Sequence, residues 1–410
     1  MVLREEAQYI IKAAIEAALP DTAVKKALAG EEFEGGRLLL VSIGKAAWSM
    51  AKAACDILGD KMEEGIVITK YDHSKGPLPK IRCYEAGHPI PDENSFAATE
   101  EAIRIVTGLS EKDTVLFLIS GGGSALFEKP LITKEQLEDI TSQLLASGAD
   151  IIEMNTIRKR LSTVKGGKFA KLCEPARVYS IVLSDIIGDP LDMIASGPAY
   201  PDSSTCEQAL EIIRKYKLVI PEAVEELLKQ ETPHTLSNVS TKVTGSVTQL
   251  CKAAELACRR LGYEPFLLTA SLSCEARDAG SFLGSIARYH KDSSKSLAFI
   301  VGGETVVHLK GNGKGGRNQE LALSSAISLV GLTDTAIFSV GSDGTDGPTD
   351  AAGGYVDGDT KKMLLEKGID IDQVLDDNDA YHALKECGGL IITGPTGTNV
   401  NDLTVLLIKR

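Results

Sequence analysis

The chain has 410 residues, more than one ordinary hydrophobic core accommodates, so the expectation is two domains. Its 57 acidic and 44 basic residues leave a formal charge of -13, with no Lys/Arg stripe interleaved with aromatics, which disfavours a nucleic-acid partner. No apolar run approaches the roughly 18 to 20 residues needed to cross a bilayer, and the start Met1-Val2-Leu3-Arg4-Glu5-Glu6 turns acidic at once, unlike a signal peptide. No membrane partner and a cytoplasmic location are therefore expected. Eight cysteines stand singly, without CxxC pairs or zinc spacing to a histidine, as reduced and mostly buried thiols do.

Apolar positions at helical spacing (Ala7, Ile10, Ile11, Ala14, Ile15, Ala18) predict a helix over residues 5–19 that stops at Pro20. A second short helix ends near Gly30. Residues 37–43 then read as a buried strand running into Gly44-Lys45-Ala46-Ala47-Trp48, where an alanine-rich helix begins. A lysine on a first helical turn opposes the macrodipole; an anion held between its ammonium and the helix N–H groups would account for it, and the alternative is a lysine that reaches out to water. Another strand spans residues 65–69. Gly87-His88-Pro89-Ile90-Pro91-Asp92 is a further strand-end loop, whose His88 either lines a pocket or serves the loop's own structure.

The apolar run Val115-Leu116-Phe117-Leu118-Ile119 leads directly into Ser120-Gly121-Gly122-Gly123-Ser124, the pattern of a parallel strand delivering bare backbone to a helix. Without Cβ atoms, these glycines can turn successive N–H groups toward one point, and such a concavity binds anions, with the Ser120 and Ser124 hydroxyls at its rim. A tight turn without a ligand is the alternative. Helices follow near residues 133–147 and 151–173, the latter carrying Asn155, Arg158 and Lys165 before Gly166-Gly167. Arg158 and Lys165, bracketing a break, are candidate phosphate ligands.

A strand over residues 177–183 ends in Ser184-Asp185-Ile186-Ile187-Gly188-Asp189-Pro190. Carboxylates just past the carboxyl end of a parallel strand lie where open α/β sheets bind ligands, so Asp185 and Asp189 are candidates for magnesium or for a general base, or else cap helices. Ala195-Ser196-Gly197-Pro198 is expected as an exposed turn. Helices near residues 205–216 and 221–230 precede a polar stretch over 232–238, the candidate boundary between an N-terminal domain (1–236) and a C-terminal domain (237–410).

Beyond it come a helix (246–261), a strand (264–269), a helix (273–290), and strands 296–302 and 304–309 joined as a hairpin. A second glycine-rich loop, Gly311-Asn312-Gly313-Lys314-Gly315-Gly316-Arg317-Asn318, opens an apolar helix and is expected to bind a ligand, with Arg317 placed to meet an anion. A strand over 335–340 runs into Gly341-Ser342-Asp343-Gly344-Thr345-Asp346-Gly347, spaced like a calcium loop but lacking its closing glutamate. Assistance to a divalent ion or positioning of a ligand fits that loop better. Strands 390–393 and 403–408 close the chain.

Glycine loops, one lysine, one arginine and strand-end carboxylates are the parts needed to transfer a phosphoryl group. Neither GxxxxGK[ST] nor a strand-following GxGxxG with a ribose acid is present, and the second absence weakens a dehydrogenase reading. As a set, Ser42 to Ala47, Ser120 to Ser124, Asn155 to Gly167, Leu183 to Pro198, Gly315 to Glu320, Asp343 to Gly347 and Gly397 to Asp402 resemble the glycerate 2-kinase family, whose C-terminal part is called the MOFRL domain.

The resemblance implies an α/β fold with an N-terminal Rossmann-like parallel sheet flanked by helices, a second smaller α/β domain, and an active site in the cleft between them. It further implies transfer from ATP to the 2-hydroxyl of D-glycerate, giving 2-phosphoglycerate and ADP, with Mg2+ or another divalent cation. Lys45 and Arg317 then become the catalytic cations; beside that implication, Asp189 or Asp185 is expected to handle the metal or the glycerate hydroxyl proton. Gly44, Ser120, Gly121, Gly122, Gly123, Ser124, Asn155, Arg158 and Lys165 hold the nucleotide, and Asp185 and Asp343 serve the metal. A homodimer is one option for the assembly. An NAD(P)H-dependent hydroxypyruvate reductase, a label long attached to this family, is the rival activity, and a non-catalytic sugar-phosphate sensor is the rival from another class.

Overall fold

The computed structural model describes residues 2–33, 35–188 and 190–410. They divide into two compact units. One takes the described residues within Ala23–Ser184 and Asp189–Thr244, the other those within Met1–Thr22, Asp185–Gly188 and Gly245–Arg410.

The first unit is built on strands β1 (Leu38–Ile43), β2 (Glu64–Lys70), β3 (Ile81–Ala86), β4 (Thr114–Ile119), β5 (Arg177–Leu183) and β6 (Val239–Gly245), in the order β3-β2-β1-β4-β5-β6. From β3 to β5 every pairing is parallel. β1 and β4 are buried along their whole length, as strands covered on both faces must be, which explains their unbroken apolar sequences. Alternate side chains serve the two faces: Leu38, Leu40, Leu116 and Leu118 pack under Met50, Ala51 and Ala54 of the helix Ala47–Leu58. That helix is rich in alanine, the best helix former, and stops where Gly59 takes a φ of 52°. Truncating Leu40, which is fully buried, would cost about 2–5 kcal/mol.

In this order β2 and β3 lie to one side of β1, while β4 and β5 lie to the other. The β1/β4 junction is therefore a topological switch point, where open α/β sheets leave a crevice beyond the carboxyl ends of the strands. Ile43 pairs with both Ile68 and Ile119, so β1 and β4 end level and their loops emerge together, while β2 runs two residues further to Lys70.

The second unit has strands β7 (Glu264–Leu272), β8 (Leu297–Gly303), β9 (Thr335–Gly341), β10 (Gly353–Asp357), β11 (Leu390–Ile391) and β12 (Asp402–Ile408), in the order β11-β10-β9-β12-β8-β7. Only the β7/β8 pair is parallel. Helices Val2–Ala17 and Val247–Arg260 cover one face, with Ile10, Ile11 and Ala14 buried alongside Cys251, Ala254, Phe338 and Val405. Helices Ala276–Tyr289 and Arg317–Leu329 cover the other, packed so closely that a Cβ on Gly280 would lie 2.2 Å from the Leu321 carbonyl oxygen.

Several expectations need correction. Residues 2–22 pack with the second sheet, and β6 extends the first sheet across the expected boundary at 236. The expected helix over 151–173 is two helices, Ile151–Arg160 and Lys168–Leu172, separated where Gly166 and Gly167 take φ of 58° and 79°. Residues 304–309 form no strand; only Val306 makes an isolated bridge, to Glu275.

Candidate active site

In the first unit the β1 and β4 loops are bolted together by their backbones. The Lys45 N–H donates to the Gly121 carbonyl at 2.9 Å, and the Ala46 N–H donates to Ser120 Oγ at 3.1 Å. Ser120 Oγ in turn donates to the Ile43 carbonyl at 3.1 Å. Gly44 has a φ of 109°, and a Cβ there would stand 2.4 Å from the Ser120 carbonyl oxygen, so only glycine fits. Ser120, expected as a rim donor, is instead 3% exposed and fastens the two loops.

What this bolting leaves over is a set of unpaired donors. Among the described residues, the N–H groups of Gly121, Gly122, Gly123 and Ser124 donate to no protein acceptor. The exposed Lys45 side chain makes no ion pair among them either, while its own carbonyl accepts from Thr69 Oγ1 and lies 3.1 Å from His73 Nδ1. Clustered free amides beside an unneutralised ammonium are what an anion requires.

Behind the loop lies a bracing layer. Lys165 is fully buried; its Nζ donates to the carbonyls of Ser124 (2.8 Å) and Phe127 (2.9 Å) and pairs with Glu128 at 3.1 Å. Burial pulls its pKa down to about 8 against the pull of Glu128, with Arg158 adding to the fall. Lys165 thus holds the loop from within rather than touching a ligand, contrary to expectation. Arg158 Nη2 donates to the same Ser124 carbonyl at 3.4 Å.

Asn155 is buried as well. Its Oδ1 accepts from Ser196 Oγ at 2.9 Å, and Ser196 Oγ lies 2.9 Å from Ser124 Oγ. With the Ser196 proton given to Asn155, the Ser124 proton goes to Ser196, and Ser124 offers lone pairs outward rather than a donor. Ser196 was missed because Ala195 to Pro198 reads as an exposed turn; all four residues are buried. Ala195, Ser196 and Gly197 have φ of 52°, 60° and 62°, and a Cβ on Gly123 would lie 2.6 Å from that of Ala195. Left-handed non-glycine residues cost about 1–3 kcal/mol each and gather at functional sites.

In the second unit the arginine is held by acids. Arg317 donates from Nε and Nη2 to the two oxygens of Asp402 (2.6 and 3.0 Å) and from Nη1 to Glu304 at 2.8 Å. Three of its five N–H groups are taken and two remain. Asn401 Nδ2 donates to the other Glu304 oxygen at 3.1 Å and to the Asp185 carbonyl at 3.2 Å. Asp346 accepts the N–H groups of Asn318 (3.1 Å) and Gln319 (2.8 Å) and so fixes the helix start that carries Arg317. Burial raises its pKa to about 6, while those N–H groups pull the other way.

In the second glycine loop the N–H groups from Lys310 to Lys314 are spent on residues 377–379, whereas those of Gly315, Gly316 and Arg317 donate to no acceptor among the described residues. The N–H groups of Lys310 and Gly311 go to Asn378 Oδ1, and that of Gly313 goes to the Asp377 carbonyl. Its glycines admit close neighbours: a Cβ on Gly316 would meet Asp346 Cγ at 2.3 Å. Asp343 Oδ1 accepts from the Thr345 N–H at 2.9 Å. Among the described residues no three His, Cys, Asp or Glu side chains gather to hold a metal ion, and Asp189 lies outside those residues. No described helix is long and apolar enough to cross a membrane.

Comparison with known proteins places these sites in context. A model described as a domain of unknown function (DUF4147) matches residues 6–229, and the MOFRL family model matches residues 297–402. D-glycerate 2-kinase of Thermotoga maritima is 53% identical over 99% of this chain and 98% of its own. Glycerate 2-kinase of Pyrococcus horikoshii is 43% identical over 100% of this chain and 98% of its own. The crystal structure of Thermotoga maritima glycerate kinase superposes with a TM-score of 0.95 at 52% identity, covering 99% of both chains. With switch-point loops of this kind and relatives matched end to end, the chain belongs to the glycerate 2-kinase family.

Proposed function

We propose that this protein transfers the γ-phosphoryl group of ATP to the 2-hydroxyl of D-glycerate, giving 2-phosphoglycerate and ADP. One observation carries the reading. The switch point of the first sheet brings Lys45 against a loop whose four consecutive N–H groups, Gly121 to Ser124, have no acceptor among the described residues.

Phosphoryl transfer asks little covalent chemistry of a protein and much electrostatic preorganisation. Here the free amides hold phosphate oxygens and Lys45 neutralises charge on the group in transit. Lys165 and Arg158 keep the loop in shape through the Ser124 carbonyl. Arg317, with two N–H groups left over from Asp402 and Glu304, supplies the second set of cationic donors. The domain roles follow the same division: nucleotide on the first sheet's loops, Arg317 from the MOFRL part.

A divalent ion, magnesium in the first instance, fits this donor set as a companion of the nucleotide. With no three-carboxylate cage among the described residues, Asp185 and Asp343 are the carboxylates that would help hold it beside the nucleotide. When bound, it neutralises charge on the phosphate oxygens.

The test is phosphorus NMR of protein mixed with Mg-ATP and D-glycerate. Appearance of ADP with a phosphate ester on C2 supports the assignment. A 3-phosphate product contradicts the regiochemistry. NADH consumption with hydroxypyruvate and no ADP formation would favour the reductase instead.

A further inference from the structure

His88, in the loop after β3, packs against the glycine loop. A Cβ on Gly122 would lie 3.0 Å from both Cδ2 and Nε2 of His88 and 3.2 Å from Lys45 Cγ. The imidazole edge and the lysine stem thus flank the same glycine, between the second and third of four unpaired amides. Among the described residues neither ring nitrogen of His88 has a hydrogen-bond or ion-pair partner, whereas the neighbouring His73 has the Lys45 carbonyl 3.1 Å from its Nδ1.

The charged and titratable groups that face it are Lys45 from the β1 loop, and Lys70 and His73 from the end of β2. Burial first, and then these cations, push its pKa below that of an ordinary histidine. At neutral pH the ring is uncharged and one nitrogen carries a free lone pair. A phosphate chain on the adjacent amides would oppose those cations and make the imidazolium easier to hold.

We propose that His88 accepts the proton of the substrate hydroxyl during phosphoryl transfer, a role that rests on the kinase reading given above. The O–H bond of the 2-hydroxyl breaks and its electron pair forms the new bond to the γ-phosphorus. The bond from that phosphorus to the β,γ-bridging oxygen breaks, its pair leaving with ADP. The proton passes to Nε2 and is lost to water when the site resets. Nothing is oxidised or reduced.

The experiment compares wild-type protein with His88→Gln, His88→Asn and Asp189→Asn in steady-state assays of ADP release across pH 5 to 9. Both His88 variants should lose about 10²-fold in kcat, with KM for ATP held within about threefold, and should lack the acidic limb of the wild-type kcat profile. Asp189→Asn should retain that limb. In parallel, the His88 ring nitrogens of the wild-type protein, followed by NMR, should titrate at higher pH once Mg-ADP is added, a readout independent of turnover and of whether a variant folds.

Variants that keep the acidic limb and a kcat within about threefold of wild type would overturn the role of His88. So would a His88 ring whose titration ignores Mg-ADP. Wild-type protein that releases no ADP from Mg-ATP and D-glycerate would instead contradict the reaction itself, so the two failures are told apart.

Discussion

Arg317 grips Asp402 with two parallel hydrogen bonds, Nε to Oδ2 at 2.6 Å and Nη2 to Oδ1 at 3.0 Å, so the guanidinium is held in one orientation. A lysine carries the same charge but cannot form this fork. Arg317→Lys should therefore lose about 10²-fold or more in kcat, nearly as much as Arg317→Ala. Arg317→Ala should also lower stability, because Asp402 is only 7% exposed and would stand unpaired; with the arginine itself 35% exposed, the cost is about 2–3 kcal/mol rather than that of a wholly buried pair. Coupled ADP assays and thermal melts of the two variants check both statements.

Lys45 is the contrasting case. Its ammonium makes no ion pair among the described residues, so Lys45→Ala should melt within about 2 °C of wild type. Its kcat should nonetheless fall about 10²-fold or more. Near-wild-type turnover would remove Lys45 from the mechanism.

The glycine loop tolerates little. Gly122 has a φ of 84°, so Gly122→Ala adds backbone strain of about 1–2 kcal/mol and presses a methyl against His88 and Lys45. Gly44→Ala should be worse, since its Cβ would meet the Ser120 carbonyl, which is backbone and cannot swing away. Melting temperatures in the order wild type, Gly122→Ala, Gly44→Ala, with nucleotide affinity reduced in both, are expected.

Breaking the Lys165–Glu128 pair from one side leaves a buried charge. Lys165→Met should cost about 3–5 kcal/mol, while Lys165→Met combined with Glu128→Leu should recover much of the loss. Urea unfolding of the two single variants and the double variant measures the coupling. Simple addition of the single-variant losses would contradict the pairing.

Asp346 gives a pH signature. Burial lifts its pKa from 3.8 to about 6, so across that window the native state holds a proton that the unfolded chain has released. Its contribution to stability is thus largest at low pH and falls as pH rises from about 4 to 6. The stability difference between wild type and Asp346→Asn should narrow in the wild type's disfavour over that interval and level off above it. A flat difference would contradict the raised value.

The central strands and the two loops at the switch point were legible because an unbroken apolar run ending in glycine has few other readings: Leu38 to Lys45 and Val115 to Ser124 both turned out so. Edge and glycine-bearing strands were not. β3 carries Arg82 and Glu85 at the sheet's rim, β6 is largely polar, and β10 opens with Gly353, where a Cβ would strike the Ser339 carbonyl. The site divided similarly. Residue type pointed to Lys45 and Arg317, but whether a donor is free or spent depends on partners distant in sequence. Ser120 is consumed by Ile43, Lys165 by Ser124 and Phe127, and the amides from Lys310 to Lys314 by residues 377–379. Likewise, the approach of His88 to Gly122 spans 34 positions of sequence that no local pattern records.

The most direct measurement is a crystal structure with a non-hydrolysable Mg-ATP analogue bound. The account predicts β- and γ-phosphate oxygens within about 3.2 Å of the Gly121 to Ser124 nitrogens, with Lys45 Nζ in contact with the γ-phosphate. A nucleotide seated elsewhere, with those four amides pointing at water, would contradict it.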